Sequence, residues 1–142
     1  MGLELDQALG FVRRHQHGVL ATLRADGRPQ LSNILYLVGE DDAVRISVTD
    51  SRAKTANLRR DPRASLHVTR DDFYAYVVLD GTAALTAVAA DPHDTVVDQL
   101  VDMYRTARGE HPDWDEFRHV MVSEGRVIVT LSVHHAYGML GS

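Results

Sequence analysis

The chain has 142 residues, no cysteine and a formal net charge of −5, with 44% hydrophobic and 25% charged residues. This length fits one compact domain spanning residues 1–142, and the lack of cysteine excludes disulfides, thiolate metal sites and a thiol nucleophile. No apolar run reaches the roughly 18 residues of a membrane-spanning helix, and the N-terminus is acidic where a signal peptide is basic. We therefore expect a cytoplasmic domain with no membrane partner.

The first half of the sequence combines helical and strand patterns. Apolar residues at helical spacing predict a helix over about 4–16. Three predicted strands follow, at 18–23, 30–38 and 44–49. Between the first two, Asp26-Gly27 supplies the positive φ that a tight hairpin turn requires. A second helix is predicted over 51–61, because Pro62 stops it.

The second half begins with strands and continues with two helices. Strands are predicted at 64–69, 74–79 and 82–86, with a turn at Asp80-Gly81 between the last two. Asp91-Pro92 predicts the cap and first-turn proline of a helix that ends at Gly109. Asp113 and Glu116 resemble a capping box, which predicts the start of another helix.

The last predicted strand, 127–133, is apolar on both faces. Such a strand is either central in its sheet or covered on one face by something else, such as a second subunit, and we favour the second subunit. About seven strands in mostly hairpin order, with short helices between them, predict a mainly β, α+β fold. We expect an antiparallel barrel rather than a doubly wound sheet.

One segment breaks the charge balance of the chain. Residues 51–63 hold five of the 15 cations and one acid, so this window carries +4 and the rest of the chain −9. Arg52 and Lys54 fall in the first turn of the predicted helix, where the macrodipole disfavours cations by about 0.3–1 kcal/mol each. An anion at this position would reverse the penalty, because free backbone N–H groups and two cations together hold a phosphate well. Hydroxyl and amide donors stand close by in the sequence, at Ser51, Thr55 and Asn57.

A solvated basic helix face is the alternative, but such a face in an acidic protein usually interleaves acids at i+4, and this one does not. Ser51 to Lys54 also spells S-x-x-K, yet the partner motifs of serine β-lactamases are absent and the chain is too short for that fold. The pairs His15-x-His17 and His134-His135 lack the helical spacing of zinc ligands, so no metal is expected. No P-loop, G-x-S-x-G or G-x-G-x-x-G occurs.

Two long motifs carry a resemblance to a known family. The first is ATLRADGRPQLSN at 21–33, which resembles the first hairpin of the pyridoxamine 5′-phosphate oxidase-like superfamily. The second is SRAKTANLRRDPRA at 51–64, which resembles the cofactor-phosphate segment of its actinobacterial deazaflavin (coenzyme F-420) branch. The likeness continues through EHPDW at 110–114 to HAYG at 135–138, so it covers nearly the whole chain.

The resemblance implies an FMN-binding-like split β-barrel of six to seven antiparallel strands, forming a homodimer with the cofactor at the subunit interface. By matching position, Arg52 and Lys54 would bind the cofactor phosphate, with Ser51 and Asn57 close by. The backbone of Ser47 and Val48 would line the ring, and the hairpin residues that would face it are Gln30 and Ser32.

The function that this resemblance implies is hydride transfer from reduced coenzyme F-420, with FMN as the alternative cofactor, to a small unsaturated organic acceptor. No catalytic acid or base is evident, and such chemistry does not require one because the cofactor supplies the reactive carbon. The chain lacks the terminal Arg- and Trp-bearing motif of true pyridoxamine phosphate oxidases, so vitamin B6 oxidation is not expected. Three further arginines are candidates to steer the polyanionic tail of the deazaflavin: Arg59, Arg60 and Arg63.

Two rival functions belong to other classes. One is a non-catalytic split barrel that binds or senses flavin or heme. The other is a nucleic-acid-binding domain that uses the basic helix, which we do not favour because only one short stripe is basic and no nucleic-acid motif accompanies it.

Overall fold

The computed structural model describes residues 2–141. Its elements in chain order are α1 (Leu5–Arg13), β1 (His17–Leu23), β2 (Pro29–Leu35), β3 (Leu37–Val38), β4 (Val44–Thr49), α2 (Ala53–Arg60), β5 (Arg63–Thr69), β6 (Tyr76–Leu85), α3 (Thr95–Arg108), α4 (Trp114–Ser123) and β7 (Arg126–Met139). None of the helices among these residues is long and apolar enough to cross a membrane.

The seven strands form one antiparallel sheet in the order β2-β1-β5-β6-β7-β4-β3. The strands at its two ends, β2 and β3, are consecutive in the chain and separated only by Tyr36, so the sheet curls until its ends meet. β2 also contacts β4, without pairing with it. The result is a curled half-barrel, which confirms the predicted split-barrel α+β fold.

The barrel core consists of aliphatic side chains that alternate along the strands. Leu20, Leu66, Leu79 and Leu131 are almost fully buried and belong to one cluster with the inward residues of β4. Helix α1 adds its buried apolar side to this cluster. Period-two alternation of apolar residues is the pattern that a sheet with one face on the core requires, which is why the sequence predicts these strands well.

β7 is central in the sheet, between β6 and β4, and it runs to Met139 rather than ending at 133. Its outward residue Ile128 is buried in a second cluster beneath α3 and α4, with Val97, Leu100 and Met121. The same chain therefore covers both faces of β7 at this point. The second subunit favoured from the sequence is not what buries this part of the strand.

The predicted turn at Asp80-Gly81 is wrong, because β6 is one continuous strand with a bulge at these two residues. A Cβ atom on Gly81 would lie 2.3 Å from the carbonyl oxygen of Ser132 on β7. This glycine serves a close approach of two backbones and not a turn. The predicted strand over 30–38 is likewise interrupted, at Tyr36, where the chain passes from β2 to β3.

The helix starts also differ from the prediction in detail. α3 is capped by Asp94 and not by Asp91, because the Asp94 carboxylate accepts a 2.8 Å hydrogen bond from the Val97 N–H. Asp113 caps α4 as predicted and accepts from the Glu116 N–H at 3.1 Å. The reciprocal half of the capping box is absent here, since the Asp113 N–H donates to Nδ1 of His111 instead.

Candidate functional site

A cleft with a volume of about 720 Å³ runs along the outer face of β4. The exposed edge of β2 forms one wall and the start of α2 closes one end, while α3 and α4 cover it. Its lining includes five cations and, among the described residues, no carboxylate: Arg45, Arg52, Lys54, Arg108 and Arg126. The cleft therefore favours anionic ligands.

The first turn of α2 presents donors to this cleft. Arg52 is the N-cap residue, and its side chain makes no capping hydrogen bond. The backbone N–H groups of Ala53 and Lys54 have no acceptor within residues 2–141, and no acid occupies the first turn. The arrangement unites two free N–H groups, the positive end of a helix dipole and two cationic side chains, which together suit a phosphate. We refer to this first turn, with Arg126 beside it, as the cationic corner.

Arg126 is the first residue of β7 and joins the corner from the far end of the sequence. Burial, then the charges of Arg52 and Arg126, lowers the pKa of Lys54 below its ordinary value of 10.5. Arg126 itself pairs with Glu124 at 3.0 Å and reaches the Ser47 carbonyl oxygen at 3.4 Å. Sequence reasoning missed Arg126, because only the pairing of β4 with β7, Thr49 opposite Arg126, brings it there.

The strand residues predicted to line the ring of a cofactor all border the cleft. Ser47 and Val48 lie on β4, and the Val48 side chain is buried in the core, so this residue offers only its backbone. Gln30 and Ser32 are half-buried and line the opposite wall from β2. The structure thus brings four predicted residues together with Arg52 and Lys54, although their role as ligands stays a prediction.

Ser51 and Asn57, also predicted near the phosphate, are not among the lining residues. Ser51 is exposed, whereas Asn57 is buried and donates from Nδ2 to Oγ1 of Thr22 at 3.1 Å. Its Oδ1 accepts from Arg60 at 3.0 Å. Thr55 is also buried and donates to the Thr49 carbonyl oxygen at 2.8 Å. These contacts hold α2 against β1 and the end of β4, which suits a positioning role for Asn57.

The other three arginines of residues 51–63 bind neighbouring groups of the protein outside the cleft. Arg59 forms an ion pair with Asp50 at 2.5 Å, and Arg63 pairs with Asp61 at 2.8 Å. Arg60 donates to the Leu23 carbonyl oxygen at 2.9 Å. None of the three lines the cleft. The +4 window therefore divides into two cations that face the cleft and three that are bound to neighbouring groups.

The helices above the cleft form an apolar roof, which we define as the cleft-lining residues of α3 and α4. On α3 they recur at helical spacing, and α4 adds two more: Leu100, Met103, Tyr104, Ala107, Phe117 and Met121. The Tyr104 ring packs edge-on against Phe117, His111 and Trp114, with centroid distances of 5.1, 5.1 and 5.7 Å. Such edge-to-face packing restrains the roof side chains.

Histidine and carboxylate side chains do not gather at the cleft. Across residues 2–141, no three His, Asp or Glu side chains come close enough together to hold a metal ion. His134 is within 2.9 Å of the Thr82 hydroxyl, and His135 is within 3.1 Å of Asp80, both along the pairing of β6 with β7.

The comparison with protein families matches residues 5–138 to the model described as pyridoxamine 5′-phosphate oxidase. Solved structures with the same fold include a conserved hypothetical protein from Mycobacterium tuberculosis, at 23% identity and a TM-score of 0.71. That match covers 96% of this chain and 84% of the other. An F-420 reductase also matches, at 23% identity and a TM-score of 0.63. That match covers 90% of this chain and 94% of the other.

The heme storage protein HutZ from Vibrio cholerae is similar over 98% of both chains, at 15% identity and a TM-score of 0.70. At these identities the likeness to solved structures establishes the fold alone. The match to the family extends over nearly the entire chain.

Proposed function

Because the chain belongs to the pyridoxamine 5′-phosphate oxidase family, we propose that it is an oxidoreductase that holds a flavin-type cofactor by its phosphate in the cleft. The cationic corner carries this proposal. Arg52 and Lys54 have no carboxylate partner within ion-pair distance in the described chain, and two backbone N–H groups beside them lack acceptors. A phosphate satisfies all four groups at once.

The cleft suits the remainder of such a cofactor. Its volume of about 720 Å³ is within the range of roughly 300–1,000 Å³ that is common for small-molecule sites. Gln30 and Ser32 offer polar side chains on one wall, and β4 offers the backbone of Ser47 and Val48 on the other. Polar groups at these positions would orient the ring of the cofactor.

A reduced deazaflavin, when bound, would supply the hydride for reduction of an unsaturated acceptor, and solvent would supply the accompanying proton. The chain would contribute by binding and orienting the two reactants. No general acid or base is needed from the protein for the hydride step. This agrees with a cleft whose titratable side chains are five cations and the tyrosines Tyr36 and Tyr104.

We propose the deazaflavin rather than FMN as the cofactor. The motif at 51–64 resembles the deazaflavin branch, and one structure of the same fold is an F-420 reductase. Arg126 joins Arg52 and Lys54 at the cationic corner, which is more positive charge than one phosphate requires, so the longer anionic tail of the deazaflavin has a partner there. A role of Arg59, Arg60 or Arg63 in holding that tail would require each to leave its present partner.

We also propose that the protein is a homodimer with the cofactor near the subunit interface. Leu31 and Leu35 project from the outer side of the edge strand β2 and are 64% and 50% exposed. Met139 on β7 is a further exposed apolar side chain of the sheet, at 61% exposure. Leu35 also lines the cleft, so a second copy seated on this surface would border the cofactor.

Titration of the purified protein with FMN and with oxidised coenzyme F-420 tests the proposal, with fluorescence quenching as the readout. We expect the deazaflavin to bind more tightly. Arg52→Ala and Lys54→Ala should each weaken binding about tenfold or more, because each removes a charge-assisted contact. Arg24→Ala is the control, since this exposed cation pairs with Asp26 in the turn between β1 and β2 and does not line the cleft. Failure to bind either cofactor would overturn the proposal.

Turnover separates an enzyme from a binding module. Oxidation of reduced coenzyme F-420 is followed by absorbance over a panel of unsaturated acceptors. Reduction of any acceptor at a rate above the enzyme-free control supports the oxidoreductase. Tight binding without turnover across the panel supports the non-catalytic alternative, and heme titration then decides between flavin and heme. The described cleft lining includes no histidine for a heme iron, which favours flavin.

A further inference from the structure

Arg108 is the one cleft cation that belongs to neither the cationic corner nor an ion pair within residues 2–141. It is the last residue of α3 and is exposed. The neighbouring helix cations are occupied, since Arg105 pairs with Glu110 at 2.7 Å and Arg118 pairs with Asp98 at 2.9 Å. A cation in the last turn suits the helix dipole, but that favourable position does not require the side chain to line a cleft.

The surface that leads to Arg108 is apolar and restrained. Met103, Tyr104 and Ala107 precede it on the same face of α3, and Phe117 of α4 adjoins them. Tyr104 and Phe117 pack edge-on, and Trp114 packs against both, at centroid distances of 5.7 and 5.6 Å. A restrained apolar surface that ends in an unpaired cation is complementary to an apolar molecule with one anionic group.

Arg108 and the cationic corner belong to different elements of the cleft lining. Arg108 ends α3, next to the roof, whereas Arg52 and Lys54 lie at the start of α2 and Arg126 begins β7. Arg108 is therefore a second cationic position of the lining, separate in the fold from the first turn of α2.

We propose that the roof and Arg108 form the acceptor subsite, and that this subsite selects an apolar, unsaturated molecule carrying one carboxylate or similar anion. This inference rests on the proposed function, because an acceptor is needed only if the cleft also holds a reduced cofactor. Arg108 would bind the anion, while Met103, Tyr104 and Phe117 would contact the apolar part.

Two fluorescent probes that differ only in the anion test this selection without any cofactor. One is 8-anilinonaphthalene-1-sulfonate and the other is N-phenyl-1-naphthylamine, which lacks the sulfonate. Trp114 is the only tryptophan of the chain and packs against the roof, so energy transfer from it reports binding there. We expect the wild-type protein to bind the sulfonate about tenfold more tightly than the neutral probe.

Arg108→Gln should remove that preference, whereas Arg108→Lys should retain most of it because the charge remains. Arg24→Gln, which removes an exposed cation that does not line the cleft, should leave the preference unchanged. Equal affinity of the wild-type protein for the two probes would overturn the inference. An equal loss in the Arg24 variant would overturn it as well, because the preference would then reflect net charge alone.

Cofactor titration keeps this inference distinct from the proposed function. FMN affinity should be the same in Arg108→Gln as in the wild-type protein, and saturating FMN should not displace the sulfonate probe. Displacement would assign Arg108 to the cofactor and overturn the inference, while leaving the proposed function intact. In turnover with reduced coenzyme F-420, Arg108→Gln should raise KM about tenfold for cinnamate but not for cinnamamide, with kcat little changed. If the wild-type protein bound neither FMN nor coenzyme F-420, the proposed function would be refuted instead.

Discussion

Asn57 of α2 donates a 3.1 Å hydrogen bond from Nδ2 to Oγ1 of Thr22 on β1, and both side chains are buried. The bond joins the middle of the helix that begins at the cationic corner to the barrel wall. Asn57 accepts from Arg60 on its other side, and Arg60 in turn binds the Leu23 carbonyl oxygen. The direction of α2, and with it the aim of its free N–H groups, therefore depends on this contact.

Thr22→Val and Asn57→Ala distinguish a positioning residue from a ligand. Each change leaves a buried polar group without its partner, which should cost about 1–3 kcal/mol of unfolding free energy in urea titration. If Asn57 acts through the position of α2, both variants should weaken FMN binding by a similar factor. A large loss for Asn57→Ala with unchanged binding for Thr22→Val would assign Asn57 as a direct ligand instead. Thr106→Val, at an exposed position, controls for the substitution itself.

Anion binding at the cationic corner should weaken at a lower pH than it would if Lys54 had the ordinary pKa of a lysine. Burial and the charges of Arg52 and Arg126 lower the pKa of Lys54 below 10.5. Above this lowered pKa the side chain loses its charge, so inorganic phosphate should bind progressively less tightly as pH rises through that pKa towards 10.5. Phosphate is already a dianion in this range. Calorimetric titration of phosphate at increasing pH measures the effect.

Lys54→Arg is the matched variant, because an arginine keeps its charge throughout this range and its phosphate affinity should stay level. The same fall in phosphate affinity in both proteins would show that a group other than Lys54 titrates.

The free energy of unfolding should change with pH in the opposite direction to the phosphate affinity. The cost of the charged Lys54 is fully present below its lowered pKa, and it is relieved as pH rises from there towards 10.5.

Gly81→Ala should destabilise the barrel, because the added methyl group would lie 2.3 Å from the Ser132 carbonyl oxygen at the β6 bulge. We expect a loss of about 1–3 kcal/mol, measured by urea unfolding. Gly10→Ala in α1 is the matched comparison, because here the same substitution should stabilise the protein. Its Cβ would meet only the end of the Arg14 side chain, at 3.9 Å, so the better helix propensity should add about 0.5–1 kcal/mol. A neutral Gly81→Ala would contradict the close approach of β6 and β7.

The proposed dimer should dissociate when charge is placed on the exposed side of β2. Leu31→Glu replaces a 64% exposed leucine on this edge strand, and burial of such a side chain contributes about 1.5–3 kcal/mol in each subunit. Analytical ultracentrifugation should then record a monomer with weakened cofactor binding. Val120→Glu on α4 is the control, since that residue is also an exposed apolar side chain but lies off the sheet. A monomeric wild-type protein would refute the dimer.

Local patterns were enough to predict most elements of the fold. The strands of the barrel are encoded by apolar alternation, and the cap at Asp113 by residues within one turn of each other. Where a prediction failed, the deciding contact came from elsewhere in the chain. Gly81 resembles a turn residue until β7 is placed against it, and Asp94 competes with Asp91 for a cap that depends on the final path of the segment.

The cationic end of the candidate site could be predicted from sequence, because Arg52, Lys54 and the free N–H groups of one helix turn are neighbours in the chain. What surrounds that end depends on how the strands pair and the helices pack. Arg126 reaches Ser47 from 79 positions away through the pairing of β4 with β7, and Arg108 overlies the same cleft because α3 packs on Ile128. Strand register and helix packing minimise the free energy of the whole chain, so contacts between such distant residues cannot be inferred from any one segment.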